Sequence, residues 1–178
     1  MSPRWTLRPG MPRDAAPLAA FAARTFEETF AHSTTPADMA EHLARSYSPA
    51  LQQAELEDAG QRTILVESHG TILGFSQVRQ RPVPAHLSAS GAVELRRFYL
   101  DRSLHGSGAA TALLDRTKEE AAAIGGAAVW LSVWEQNERA RAFYLKSGFR
   151  DIGSDAFWVG QDCQTDRILL LDLGTGGA

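Results

Sequence analysis

Residues 100–114 read Leu-Asp-Arg-Ser-Leu-His-Gly-Ser-Gly-Ala-Ala-Thr-Ala-Leu-Leu, and this stretch decides the fold. It closes a β-rich run, Ala92 to Leu100 (AVELRRFYL). It then passes through Gly106-Ser107-Gly108 into a helical pattern in which Ala110, Leu113, Leu114, Thr117, Ala121 and Ile124 share a face. Gly125-Gly126 ends that helix. A strand, a glycine turn and an immediate helix leave several backbone N–H groups of His105 to Ala110 without helical partners. These groups sit at the positive end of the helix dipole and suit a pyrophosphate. Glycine at 106 and 108, with small Ser107, Ala109 and Ala110, lets a phosphate approach the backbone. A glycine-bearing helix start without a ligand is the plain alternative. The stretch is not a Walker loop, because no Gly-Lys-Ser/Thr follows, and it does not fit the three-glycine dinucleotide fingerprint.

Downstream, Ala128 to Val133 is continuously apolar, as in a strand buried on both faces. Asn137 then opens a short helix that runs to Ser147 and stops at Gly148. Phe143 and Tyr144 are neighbours on that helix and face different ways, so one can be core while the other lines a cleft. Lys146 and Arg150 are either solvated or paired with phosphate. Phe149 to Phe157 and Ile168 to Leu173 form a closing hairpin around a loop from Gly160 to Asp166, and Gly174 to Ala178 is a frayed tail.

Upstream, Thr63 to Glu67 and Thr71 to Val78 form a hairpin across Ser68-His69-Gly70. The first third is helical after a short edge strand, Trp5 to Arg8. Asp14, Thr35-Pro36 and Ser48-Pro49 are three helix starts. In the first helix Leu18, Phe21, Ala22, Thr25, Thr29 and Phe30 give one buried face.

The 178 residues suit a single domain spanning 1–178, with no repeat and no dividing linker. A formal net charge of −3 argues against a nucleic-acid partner, which needs a basic face. The lone Cys163 excludes a disulfide framework or a Cys-rich metal site and fits the reducing cytoplasm. His32, His42, His69 and His86 do not fall at metal-ligand spacing, so no metal is expected. Met1 to Asp14 carries no apolar run of a signal peptide, and no stretch is apolar enough to span a membrane.

Two segments together resemble the GNAT superfamily of acetyl-CoA-dependent N-acetyltransferases. The family's pyrophosphate loop, Gln/Arg-x-x-Gly-x-Gly/Ala, matches His105-Gly106-Ser107-Gly108-Ala109-Ala110. Gly108 and Ala110 fit. His105 departs from the usual Gln or Arg, which touches one side-chain contact and leaves the backbone cradle intact. The second signature matches Asn137-x-x-Ala140-x-x-Phe143-Tyr144-x-Lys146-x-Gly148-Phe149. The likeness runs from Trp5 to Leu173. A narrower one, to Pai-type bacterial spermidine/spermine acetyltransferases, rests on Thr25-Phe26-x-x-Thr29-Phe30, Glu94-x-x-Arg97-x-Tyr99, Val133-Trp134-Glu135-x-Asn137 and Gln164-Thr165-Asp166.

The resemblance implies an α/β fold: a mixed, mostly antiparallel central sheet flanked by helices, with strands splayed to admit acetyl-CoA. It also implies direct attack of a small amine on the thioester, by a monomer or homodimer. Tyr144 is then expected beside the CoA sulfur, donating to the leaving thiolate, since a phenol has a pKa of about 10. Glu94 is expected as the base, directly or through water, although it could instead pair with a basic neighbour. Backbone groups of Phe98 and Leu100 would hold the pantetheine arm like an added strand, and Asn137 and Lys146 would flank the cofactor. Phe26, Glu27, Phe30, Trp134, Glu135 and Trp158 would receive the amine, with a polyamine as leading acceptor. Two rival readings are a CoA-binding regulatory module without turnover and an acetyltransferase of protein N-termini or lysines.

Overall fold

The computed structural model describes residues 5–174. Of the expected tail, residues 175–178 lie outside the described residues. Seven strands form one sheet in the order β1-β2-β3-β4-β5-β7-β6. They are β1 (Thr6–Pro9), β2 (Gln61–Ser68), β3 (Thr71–Arg79), β4 (Ala92–Leu100), β5 (Ala128–Trp134), β6 (Arg150–Val159) and β7 (Asp162–Asp172). The helices are α1 (Ala15–Phe30), α2 (Pro36–Ser46), α3 (Pro49–Glu57), α4 (Ala109–Ala123) and α5 (Glu138–Lys146). The parallel pair is β4–β5, and the other pairings are antiparallel.

Local chemistry explains most boundaries. Thr35 and Ser48 accept the N–H of Asp38 and Leu51, so both cap-plus-proline starts form as expected. His69 and Gly70 both have positive φ, 49° and 80°, as a two-residue hairpin turn requires. Asp14 behaves differently from the expected cap. It precedes α1, but its carboxylate accepts from the Arg8 guanidinium and the Met11 N–H, tying β1 to the turn before the helix.

Helices cover both faces of the sheet. On one face α1 buries Leu18, Phe21, Ala22 and Phe26 against Leu65 and Phe75. On the other, α4 buries Leu113 against Ile64 and Val66, and Leu114 with Ala121 against Val93, Leu95, Val129 and Leu131. The loop before β4 completes the first face, laying Val83 and Leu87 on Trp130, Ile168 and Leu170.

Register opens the sheet in its middle. β3 stays paired with β4 to Leu100, and β7 stays paired with β5 to Trp134. Between β4 and β5, however, pairing runs only from Ala92–Ala128 to Glu94–Trp130. In the β3–β4 ladder Val78 faces Leu95 and Gln77 faces Arg97, which leaves Arg96 as the extra residue of a bulge. A bulge bends its strand and increases the twist, and this one sits where β4 leaves β5.

The bulge is anchored from above. Arg97 donates to Glu55 of α3 at 2.5 Å, to Gln77 at 2.6 Å and to the Ser46 carbonyl at 3.0 Å, and lies 4.8 Å over the Tyr47 ring. Arg96 also donates to Glu55. Arg97 and Glu55 are buried, with side chains 5% and 8% exposed. Removing one member strands a buried charge. Glu55→Ala is therefore expected to cost about 3–5 kcal/mol. In a domain of this size that lowers the melting temperature by roughly 6–20 °C. A loss below about 1 kcal/mol in denaturant titration would mean that the network does not anchor the bulge.

Candidate active site

The opening between residues 95–100 and 131–134 organises the site. On the α4 side it is closed by aromatic rings. Phe98 packs at 5.8 Å from Phe143 and edge-on at 6.0 Å from Tyr144, and Tyr144 meets Phe149 at 5.4 Å. Tyr144 thus sits at the mouth of the splay, buried on α5. Burial pushes its phenol above the ordinary value near 10, so it stays protonated and suited to donating. Phe98 and Leu100 lie on the part of β4 that has left β5, so the strand edge facing the gap pairs with no other strand among the described residues.

The glycine turn stands at one end of the opening. Gly106 and Gly108 have φ of 76° and 82°, and a Cβ on either would meet nothing within 4 Å. Glycine is needed here for backbone conformation, and the space above is open. His105 and Ser107 N–H groups are used within the turn, bonding to the carbonyls of Arg102 and Leu104. Ala109 N–H lies 3.3 Å from Ser107 Oγ. Among the described residues, the N–H groups of Gly106, Gly108, Ala110 and Thr111 have no protein acceptor. The N–H groups left open are therefore a subset of those expected, extended by one residue.

His105 takes part differently from the residue it replaces in the motif. Its Nδ1 accepts from Arg139 of α5 at 2.9 Å. Partial burial and the nearby Arg139 and Arg102 lower its pKa, so the ring stays neutral while Arg139 brings the charge to the turn. Arg139 is a residue that sequence reasoning missed. Asn137 spends its side-chain oxygen on the Ala140 N–H as the α5 cap, and Lys146 is exposed in the last turn.

Glu94 takes the alternative that its neighbours offered. It lies opposite Trp130, the last pair before the sheet opens. Its carboxylate accepts from Arg79 Nε at 2.5 Å, with Arg81 at 3.8 Å. The β3–β4 register puts Arg79 directly across from it. The geometry gives Glu94 the basic neighbour that stood as the alternative to a base role.

The other face of the opening lies beneath α1 and α2. Phe26 stacks on His42 at 4.3 Å and meets Phe30 at 4.5 Å; Phe30 in turn meets Trp134 at 5.5 Å. Phe26, Phe30 and Trp134 are brought together, all buried. Glu27 and Glu135 are exposed. Trp158 is placed differently from the expectation. It is 58% exposed and pairs with Cys163, whereas its neighbour Phe157 faces inward, 6.5 Å from Phe30. Side chains alternate along a strand, so only one of two neighbours can face the cleft. The expected loop Gly160 to Asp166 also shrinks to a turn, and Asp166 lies inside β7 opposite Trp134.

On this same face Ser132 donates to Asp166 Oδ2 at 2.5 Å. Asp166 is only 5% exposed and its Oδ1 has no hydrogen-bond partner. Burial raises its pKa to about 6, opposed by the Ser132 hydrogen bond and helped by Asp155 and Glu135. Ser132 and Asp166 were both missed as site residues, although Asp166 stood in a quoted motif. No group of three or more His, Cys, Asp or Glu among the described residues is placed to hold a metal, and no helix there is long and apolar enough to cross a membrane.

Known proteins resemble this chain in sequence and in fold. An N-acetyltransferase of Mycobacterium tuberculosis, described as uncharacterised, is 34% identical over 161 residues, covering 90% of this chain and 98% of its own. The fold superposes with a TM-score of 0.77 on the PaiA N-acetyltransferase of Thermoplasma acidophilum, solved in complex with coenzyme A; identity is 19%, covering 97% and 99% of the two chains. A spermidine N-acetyltransferase SpeG chimera from Vibrio cholerae and hSSAT gives 0.67 at 17% identity, covering 96% of each chain. At such identities the structural likeness establishes the fold. The family is shown by sequence. The model of the acetyltransferase (GNAT) family matches residues 23–149, which take in the bulged strand, the glycine turn and Tyr144, and so the chain belongs to the GNAT acetyltransferases.

Proposed function

We propose that this acetyltransferase moves the acetyl group of acetyl-CoA to a primary amine, with a polyamine as its leading acceptor. The observation that carries the reading is the two-sided opening between β4 and β5. One side offers free backbone N–H groups and a protonated phenol, and the other an acidic, aromatic space.

Each residue then has a task. The N–H groups of Gly106, Gly108, Ala110 and Thr111 hold the pyrophosphate, and Arg139 adds a guanidinium at its flank. Lys146 lies at the end of the same helix. The free edge of β4 at Phe98 and Leu100 aligns the pantetheine arm, and the Phe98 N–H serves the carbonyl oxygen as charge develops there. Tyr144 protonates the thiolate as the carbon–sulfur bond breaks. The amine arrives between α1, α2 and the β6–β7 hairpin. Glu135, Asp155 and Asp166 have no ion-pair partner among the described residues, which favours an acceptor with more than one ammonium group.

Thiol release from acetyl-CoA against spermidine, aminoglycosides, amino acids and lysine peptides tests the acceptor class. Spermidine is expected to give the highest kcat/KM, falling as ionic strength rises, since screening weakens attraction of a polycation. A preference for a lysine peptide or an aminoglycoside would move the acceptor class and leave the transferase chemistry in place.

A further inference from the structure

We propose that Ser132 and Asp166 form the proton-accepting pair for the incoming amine: Ser132 Oγ meets the ammonium and the buried Asp166 carboxylate takes the proton behind it. The proposal rests on the amine-acetylation reading above and assigns that site its base.

β5 is buried at every residue except Ser132. Ser132 lies two residues beyond Trp130, the last residue paired with β4, so it stands at the throat of the opening. Leu131 and Val133 pack on the α4 side, and Trp130 and Trp134 on the other. Alternation therefore places the Ser132 hydroxyl on the face of Trp134, where the amine enters. Asp166 is across from Trp134 on β7, and the Ser132 hydroxyl reaches it at 2.5 Å.

Chemistry then separates this pair from a structural hydrogen bond. A buried carboxylate with no cation is costly, and native proteins pair nearly all buried polar atoms. Asp166 accepts from Ser132 alone, and its Oδ1 has no donor. Glu94 of β4 and Glu55 of α3, which are also buried carboxylates, are each held by arginines. The charged and titratable groups around Asp166 deepen the contrast. Asp155 on β6 and Glu135 beyond β5 are both acidic. His32 and His42 pack against Trp134 and Phe157. Burial and those two carboxylates bring Asp166 to about 6, so it is ionised at neutral pH and a better base than an ordinary carboxylate.

The protons balance. The ammonium gives one to Ser132 Oγ as Ser132 gives its own to Asp166 Oδ2, leaving a neutral amine and a neutral carboxyl group. The nitrogen lone pair forms the new carbon–nitrogen bond at the thioester carbonyl. The carbon–sulfur bond breaks with its electron pair on sulfur, which takes the Tyr144 proton. The surplus proton on nitrogen restores Tyr144, and Asp166 later releases its proton to water. The products are the acetamide, free CoA thiol and one proton.

The pH profile of kcat/KM for spermidine in the wild type, Asp166→Asn, Ser132→Ala and Glu94→Gln tests this. The wild type is expected to show a rising limb with an apparent pKa near 6. Asp166→Asn should lose roughly 10²–10⁴-fold at pH 7 and lose that limb, its residual rate climbing at high pH as free amine accumulates. Ser132→Ala, at an exposed position, should fold normally and lose about 10-fold or more. Because the ionised carboxylate is disfavoured by the fold, Asp166→Asn should melt no lower than wild type at pH 7. The acetyl-CoA-induced melting shift should persist in both variants. A profile unchanged by Asp166→Asn, or a deficit found in Glu94→Gln and absent from Asp166→Asn, overturns the assignment while sparing the transferase reading. A strongly destabilised Asp166→Asn marks a structural pair and overturns it too. A wild type silent on every amine removes the transferase reading and this assignment with it.

Discussion

Gly108→Asp is expected to abolish the rise in melting temperature that acetyl-CoA gives the wild type. At a ligand concentration about 100 times Kd, mass action stabilises the native state by about 2.7 kcal/mol. For a chain of this length that corresponds to roughly 5–10 °C. The substitution places a carboxylate where Gly108, with φ of 82° and open space above it, leaves room for an anion. It also sets a negative charge among N–H groups that have no protein acceptor. Strain contributes as well, because a non-glycine residue in this conformation costs about 1–2 kcal/mol. Gly108→Ala separates the two effects. It bears the strain without the charge and should melt lower than wild type while keeping most of the acetyl-CoA shift. A Gly108→Asp protein that keeps the full shift would remove the turn from the binding site.

Tyr144→Phe is expected to lower kcat by roughly 10²-fold or more with little change in either KM. The ring stays, so its packing against Phe98, Phe143 and Phe149 should survive. Only the hydroxyl is lost, and its interaction with sulfur strengthens as charge builds in the transition state. The raised phenol pKa keeps that proton in place across the working pH range, so the deficit should not vary with pH below about 9. Steady-state kinetics with both substrates varied checks this. A raised KM for acetyl-CoA with kcat intact would make the hydroxyl a ground-state contact and end its assignment as the acid.

What could be read from the sequence divides along a physical line. The glycine turn, the capped starts at Thr35 and Ser48, the Asn137 cap and the His69-Gly70 turn are set by neighbouring residues, and all appear in the structure where the pattern put them. Features that depend on strand register were harder to read. Trp158 looked like a cleft wall because its parity depends on a register shift between Asp151 and Gly153 and on a short turn after Val159. Asp166 was hidden in a polar run, Asp162 to Arg167, that reads as a loop and forms half of β7. That half of the strand leaves Cys163 and Thr165 exposed, so no apolar alternation announced it. Glu94 was drawn toward a catalytic role by its place in a strand, and only the β3–β4 register reveals Arg79 across from it. Arg139 escaped notice because its contact with His105 joins residues 34 positions apart.

Acetyl transfer from acetyl-CoA to an amine is the reaction proposed for this chain. Thiol release by wild-type protein with acetyl-CoA, measured with and without spermidine, together with mass analysis of the amine, tests it most directly. Thiol release that depends on spermidine and matches mono-acetylated product one for one is the predicted result. Acetyl-CoA binding without release on any amine, or release that leaves every amine unmodified, would contradict it.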